Sequence, residues 1–144
     1  MTNISNLELK FEVSKLNNKS MSVEFFMNDQ SIDRYAQLDD GIFTWRSELK
    51  FPSKIELKVT GKDPHDTQID VNGNIIADKY IKLLDIVVDG LPCAKYYVNK
   101  IMLTTDQGKQ VISNYWGFNG SVKLDFTQAN SFLWSVSTQN KVNE

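Results

Sequence analysis

The sequence is short of the residues that usually announce catalysis or covalent reinforcement. It holds one cysteine, Cys93, so no disulfide can form within the chain and packing alone must hold the fold. It holds one histidine, His65. A catalytic histidine needs a positioned partner and a zinc site needs several nitrogen or sulfur ligands, so both chemistries are nearly excluded. Cys93 has no second histidine to serve as its base and reads as a small core or turn residue. Carboxylates are plentiful, but nothing in their spacing proposes a two-carboxylate glycosidase, and no enzyme is expected.

Charge of one sign is also missing. Sixteen Lys and Arg stand against eighteen Asp and Glu, a formal charge of -2, which gives no electrostatic footprint for a nucleic-acid backbone. No run approaches the roughly 18 apolar residues of a membrane span, so no membrane partner is expected. The opening "MTNISNLELKF" lacks a basic segment followed by an apolar one, and synthesis in a reducing cytoplasm is the expectation. With 144 residues, 41% of them hydrophobic and 24% charged, the chain has the composition of one globular domain spanning 1–144.

What the sequence does have is a period of two. "LELKFEV" sets Leu7, Leu9, Phe11 and Val13 on one side and Glu8, Lys10 and Glu12 on the other, the pattern of a half-buried strand. "KIELKVT" repeats it with Ile55, Leu57 and Val59, and "SVKLDF" with Val122, Leu124 and Phe126. "SVEFFM", "IFTWRSEL", "YIKLLDIVV", "YYVNKIML" and "SFLWSVS" are further runs of strand length rich in aromatic or branched residues. Between them stand the turn dipeptides Asp40-Gly41, Asn72-Gly73, Asp89-Gly90 and Asn119-Gly120, and Pro52, Pro64 and Pro92 fall between runs. Only "SIDRYAQL" suggests a helical turn. These features predict an all-β, antiparallel β-sandwich, jelly-roll-like, of about eight strands, with a closed barrel as the structural alternative.

Two stretches can carry function. In "TGKDPHDTQIDVNGNIIADKY", residues 60–80, Asp63, Asp66, Asp70 and Asp78 with nearby carbonyls are the hard oxygen donors that Ca²⁺ takes. The stretch is not an EF-hand: in "DVNGNIIADKYI" Ile75 stands where the loop glycine belongs and Ile81 where the bidentate glutamate belongs. The alternative is a polar surface loop whose aspartates bond their own backbone. In "SNYWGFNGS", Tyr115, Trp116 and Phe118 are candidate ligand-binding aromatics, flat faces suited to sugar rings. For Trp116 a core position is the favoured reading over a ligand platform, and Trp134, with Phe132 and Val136 at the same parity, reads as core.

From Leu7 to about Leu91 the succession of "VEFFMNDQ", the acidic end of "KVTGKD" and "DKYIKLLDIVVDG" resembles the calcium-dependent xylan-binding carbohydrate-binding modules of family 60. It looks like the versions of that domain found in structural proteins of large contractile-tailed bacteriophages. The resemblance implies a β-sandwich whose loop carboxylates hold Ca²⁺, which in turn coordinates sugar hydroxyls. The matching positions are Asp63 and Asp78, joined by Asp66 and Asp70. The family's compact loop is lengthened here by "PHDTQIDVNGNIIA", and its pattern does not extend over residues 92–144. Two functions follow as expectations. One is a non-catalytic virion or tail module that recognises polysaccharide with calcium. The other is a purely structural subunit docking to other virion proteins, made in the host cytoplasm in either case.

Overall fold

The structure, a computed structural model, describes residues 4–63, 66–93 and 101–126. Strand β1 (Ile4–Ser14) is followed by β2 (Ser22–Met27), β3 (Gln30–Tyr35), β4 (Gly41–Lys50) and β5 (Ser53–Thr60). A small hairpin, β6 (Thr67–Ile69) and β7 (Ile75–Asp78), leads into β8 (Tyr80–Val88) and β9 (Leu91–Pro92). The remaining strands are β10 (Met102–Thr105), β11 (Gln110–Ile112), β12 (Tyr115–Trp116) and β13 (Gly120–Phe126). All pairings among them are antiparallel, and no α-helix occurs among the described residues.

One sheet runs β12-β8-β1-β4, with β9 paired to β8; the other runs β11-β10-β13-β5-β2-β3. The chain passes repeatedly between them, the jelly-roll-like habit the alternating runs predict. The three clearest strand patterns occupy central positions and bury the residues expected. Leu7, Leu9, Phe11 and Val13 of β1 face inward, as do Ile55, Leu57 and Val59 of β5 and Val122, Leu124 and Phe126 of β13. A slip of one residue in any of these would turn its apolar set to solvent, so burial fixes the register. Aromatic contacts join the sheets: Phe11 of β1 meets Phe25 of β2 edge-on with centroids 6.2 Å apart, and Trp45 of β4 stacks on Phe25 at 4.1 Å.

Among the described residues the strands number thirteen rather than about eight, because short edge pieces extend both large sheets and β6 and β7 form a two-stranded sheet of their own. The helical turn expected in "SIDRYAQL" is instead part of β3. Asn28 and Asp29 both take positive φ, 49° and 70°, and close a two-residue hairpin in which Met27 pairs with Gln30, so the chain must return as a strand. Asp89-Gly90 makes the same kind of turn between Val88 and Leu91, as its sequence predicts. Pro92 closes the two-residue edge strand β9, where a missing N–H is tolerated. Gly120 serves close approach: a Cβ there would stand 2.3 Å from the Thr104 carbonyl oxygen. The run "SFLWSVS" with Phe132, Trp134 and Val136, most of "YYVNKIML", and Pro64 and His65 lie outside the described residues.

Candidate functional site

The loop after β5, the end of β7 and the segment following β12 converge at one end of the sandwich. Asp78, the last residue of β7, is nearly enclosed, its side chain 8% exposed. Its Oδ1 accepts hydrogen bonds from the Lys62 ammonium and from Thr67 Oγ1, the latter at 2.7 Å, and its Oδ2 accepts one from the Tyr115 hydroxyl. Lys62 Nζ also donates to the Lys79 carbonyl at 2.5 Å. Lys79, with a side chain only 5% exposed, donates from Nζ to the Gly61 carbonyl and pairs with Asp66 Oδ2, both at 2.9 Å. That same carboxylate oxygen accepts the Asp63 backbone N–H at 2.8 Å.

Burial alone would push the Asp78 and Asp66 carboxyls up. For Asp78 the bonds from Lys62, Tyr115 and Thr67 outweigh burial, and for Asp66 the Asp63 N–H and the Lys79 ammonium do so. Both carboxyls therefore sit below the ordinary carboxylate value. Tyr115 moves the other way, its hydroxyl held protonated by burial and by the Asp78 carboxylate it donates to. Its ring lies 4.4 Å from that of Tyr80, whose hydroxyl donates to Glu12 Oε1 at 2.8 Å. Gly117 allows the chain to close over this cluster: a Cβ there would meet the Tyr115 ring at 3.1 Å and Asp78 Oδ2 at 3.4 Å. The Asn119 side chain clamps the neighbouring strand end, accepting the Lys62 N–H and donating to the Lys62 carbonyl, each at 2.8 Å.

Beside the cluster opens a pocket of about 600 Å³. Phe118, 56% exposed, contributes an apolar face to it. Asp63, Thr67 and Asn119 line one part, and the turn between β10 and β11 lines another with Thr105, Asp106, Gln107 and Lys109. Hydroxyl, amide, carboxylate and ammonium groups thus surround an aromatic ring, with charges of both signs. Such a pocket offers many partners for neutral hydroxyls and no concentrated positive charge for a phosphate.

The candidate residues divide. Phe118 is exposed and lines the pocket. Trp116 takes the core alternative: it is fully buried, its ring 6.0 Å from that of Phe11, and its Nε1 donates to the Ser113 carbonyl. It offers no face to a ligand. Tyr115 is half-buried and its hydroxyl is committed to Asp78. Among the aspartates, Asp66 and Asp78 are lysine-paired. Asp70 lies in the β6–β7 turn, where its carboxylate accepts the N–H groups of Asn72 and Asn74 at 2.8 and 2.9 Å. Asp63 stands at the pocket rim. No three His, Cys, Asp or Glu side chains are grouped to hold a metal among the described residues. The four aspartates do not fit a calcium ion, since two are already neutralised by ammonium groups and a third caps its own turn.

Sequence reasoning missed Lys62, Lys79, Asp106, Gln107 and Asn119. A signal for the lysines was present, because Lys62-Asp63 and Asp78-Lys79 put a cation next to an acid at both ends of the loop.

No protein-family model matches the chain, and no curated protein matches it. Among solved structures it is similar to vCBM60 in complex with galactobiose, at 12% identity and a TM-score of 0.55, over 83% of this chain and 97% of that one. It is similar also to a selenomethionine form of vCBM60, at 13% identity and a TM-score of 0.56, over 84% of this chain and 90% of that one. The latter structure was described in connection with a circular permutation linking two families of calcium-dependent carbohydrate-binding modules. At such identity the likeness is one of fold alone: this chain shares the β-sandwich architecture of vCBM60.

Proposed function

We propose that this protein is a non-catalytic carbohydrate-binding module that seats a neutral saccharide in the pocket beside Phe118. The observation that carries this reading is an exposed aromatic ring set in a pocket of about 600 Å³ among hydrogen-bonding side chains of both kinds, donor and acceptor. The ring packs against the C–H face of a sugar while Asp63, Asp106, Gln107, Lys109 and Asn119 meet its hydroxyls. The fold shared with vCBM60 supports the same reading. An accessory place in a phage virion or tail is proposed from the sequence resemblance alone.

The test is titration calorimetry of the purified chain against galactobiose, soluble xylan and a panel of other polysaccharides, in EDTA and in calcium. At least one should bind, and Phe118→Ala should weaken that binding roughly tenfold, the loss of about 1–1.5 kcal/mol of aromatic contact. Its thermal midpoint should stay near that of the parent. Saccharide binding that ignores Phe118→Ala would place the site elsewhere. No binding to any polysaccharide by the folded chain would leave the docking subunit as the better description.

A further inference from the structure

Lysine side chains are almost never fully buried unless paired. Here two of them, Lys62 at 10% and Lys79 at 5% side-chain exposure, stand at the two ends of the lengthened acidic loop. Each ammonium contacts one carboxylate oxygen and one main-chain carbonyl. For Lys62 these are Asp78 Oδ1 and the Lys79 carbonyl, and for Lys79 they are Asp66 Oδ2 and the Gly61 carbonyl. Carboxylate and main-chain carbonyl oxygens are also what a hard divalent cation takes as ligands. The two ammonium groups together carry the charge of one such cation. They also tie the chain reciprocally, because Lys62 holds the carbonyl of Lys79 while Lys79 holds that of the residue before Lys62.

We infer that Lys62 and Lys79 stand in for a loop-ordering divalent cation, so that this end of the sandwich is assembled without calcium. The charge at Asp66 and Asp78 is already balanced, and a calcium ion taking these carboxylates would have to displace the ammonium group from each. The relation to vCBM60 makes this a departure within a shared fold, since that structure was described among calcium-dependent modules. The inference does not depend on the saccharide reading, and none of its tests contains sugar.

The experiment is thermal unfolding of the full chain in EDTA and through a calcium titration into the millimolar range, with calorimetry of calcium alone as a second measurement. The wild-type midpoint should not move and calcium should give no saturable heat. Ligand bound only by the native state must raise the midpoint, so a saturable rise in the wild type overturns the inference. Lys62→Met and Lys79→Met should each lower the midpoint in EDTA by roughly 10 °C, because each strands a nearly buried carboxylate. Variants that melt with the wild type overturn it as well. If a methionine variant does not fold, Lys62→Arg, which keeps the charge, must still fold and remain indifferent to calcium; a calcium-stabilised Lys62→Arg protein counts against the inference.

Discussion

Two aromatic residues two positions apart do opposite work. Trp116 is fully buried because it pairs with Ile81 of β8, and residues directly opposite in an antiparallel pair share a face. Ile81 belongs to the core, so Trp116 must as well. Phe118 follows Gly117, beyond the two-residue strand, and escapes that constraint. Trp116→Ala should therefore cost about 3–5 kcal/mol in urea unfolding, as truncation of a buried aromatic does, while Phe118→Ala should cost little. A Trp116→Ala protein within about 1 kcal/mol of the parent would show that the ring is not part of the core. "YWGFNG" alone could not sort these residues, because a strand of two residues has too little period to display parity. The partner that decides it lies 35 positions upstream, at Ile81.

At the scale of elements, what was legible in the sequence was whatever is local. The period of two in β1, β5 and β13 is written in consecutive residues, and so is the Asp89-Gly90 turn. The loop between β5 and β8 was legible as acidic but not as ion-paired, because its lysines meet their acids from opposite ends of the insertion. Lys62 reaches Asp78 across 16 positions, and the Asp66–Lys79 pair spans the β6–β7 hairpin. This arrangement sets a pH dependence. Asp66 and Asp78 are held below the ordinary carboxylate value, so the folded state binds fewer protons than the unfolded one at acidic pH. Their contribution is complete above the unfolded value near about 4 and is lost as the pH falls through the lower folded values. Thermal midpoints measured from pH 7 to pH 3 should drop for the wild type, with a shallower acid limb for Asp78→Asn, which has one such carboxylate fewer. Parallel acid limbs would mean that Asp78 is not held in its charged form by the fold.

At the scale of the whole molecule, neither sheet is a contiguous piece of chain. Strands β1, β4, β8 and β12, with β9, form one, and β2, β3, β5, β10, β11 and β13 the other, so each needs segments that the opposite sheet separates in sequence. The sheets also share a single buried cluster among the described residues, in which Phe25 touches both Phe11 and Trp45. Neither can keep its apolar face covered once the other has gone, and the loss of about 1.5–3 kcal/mol for each large side chain uncovered makes partial structures unfavourable. Unfolding should accordingly be one cooperative step. Urea transitions of a Trp134→Phe variant, followed by far-ultraviolet circular dichroism, which reports the strands, and by tryptophan fluorescence, which then reports the core around Trp45 and Trp116, should have the same midpoint. Refolding should be slow for the chain's size, in the millisecond-to-second range of sandwiches, because most strand pairs close long loops. A fluorescence midpoint well below the dichroism midpoint would show that the core around these rings loosens while strands persist, and the ion-paired loop end, joined to Trp116 through its neighbours Tyr115 and Gly117, would then be the first place to look for the weaker half.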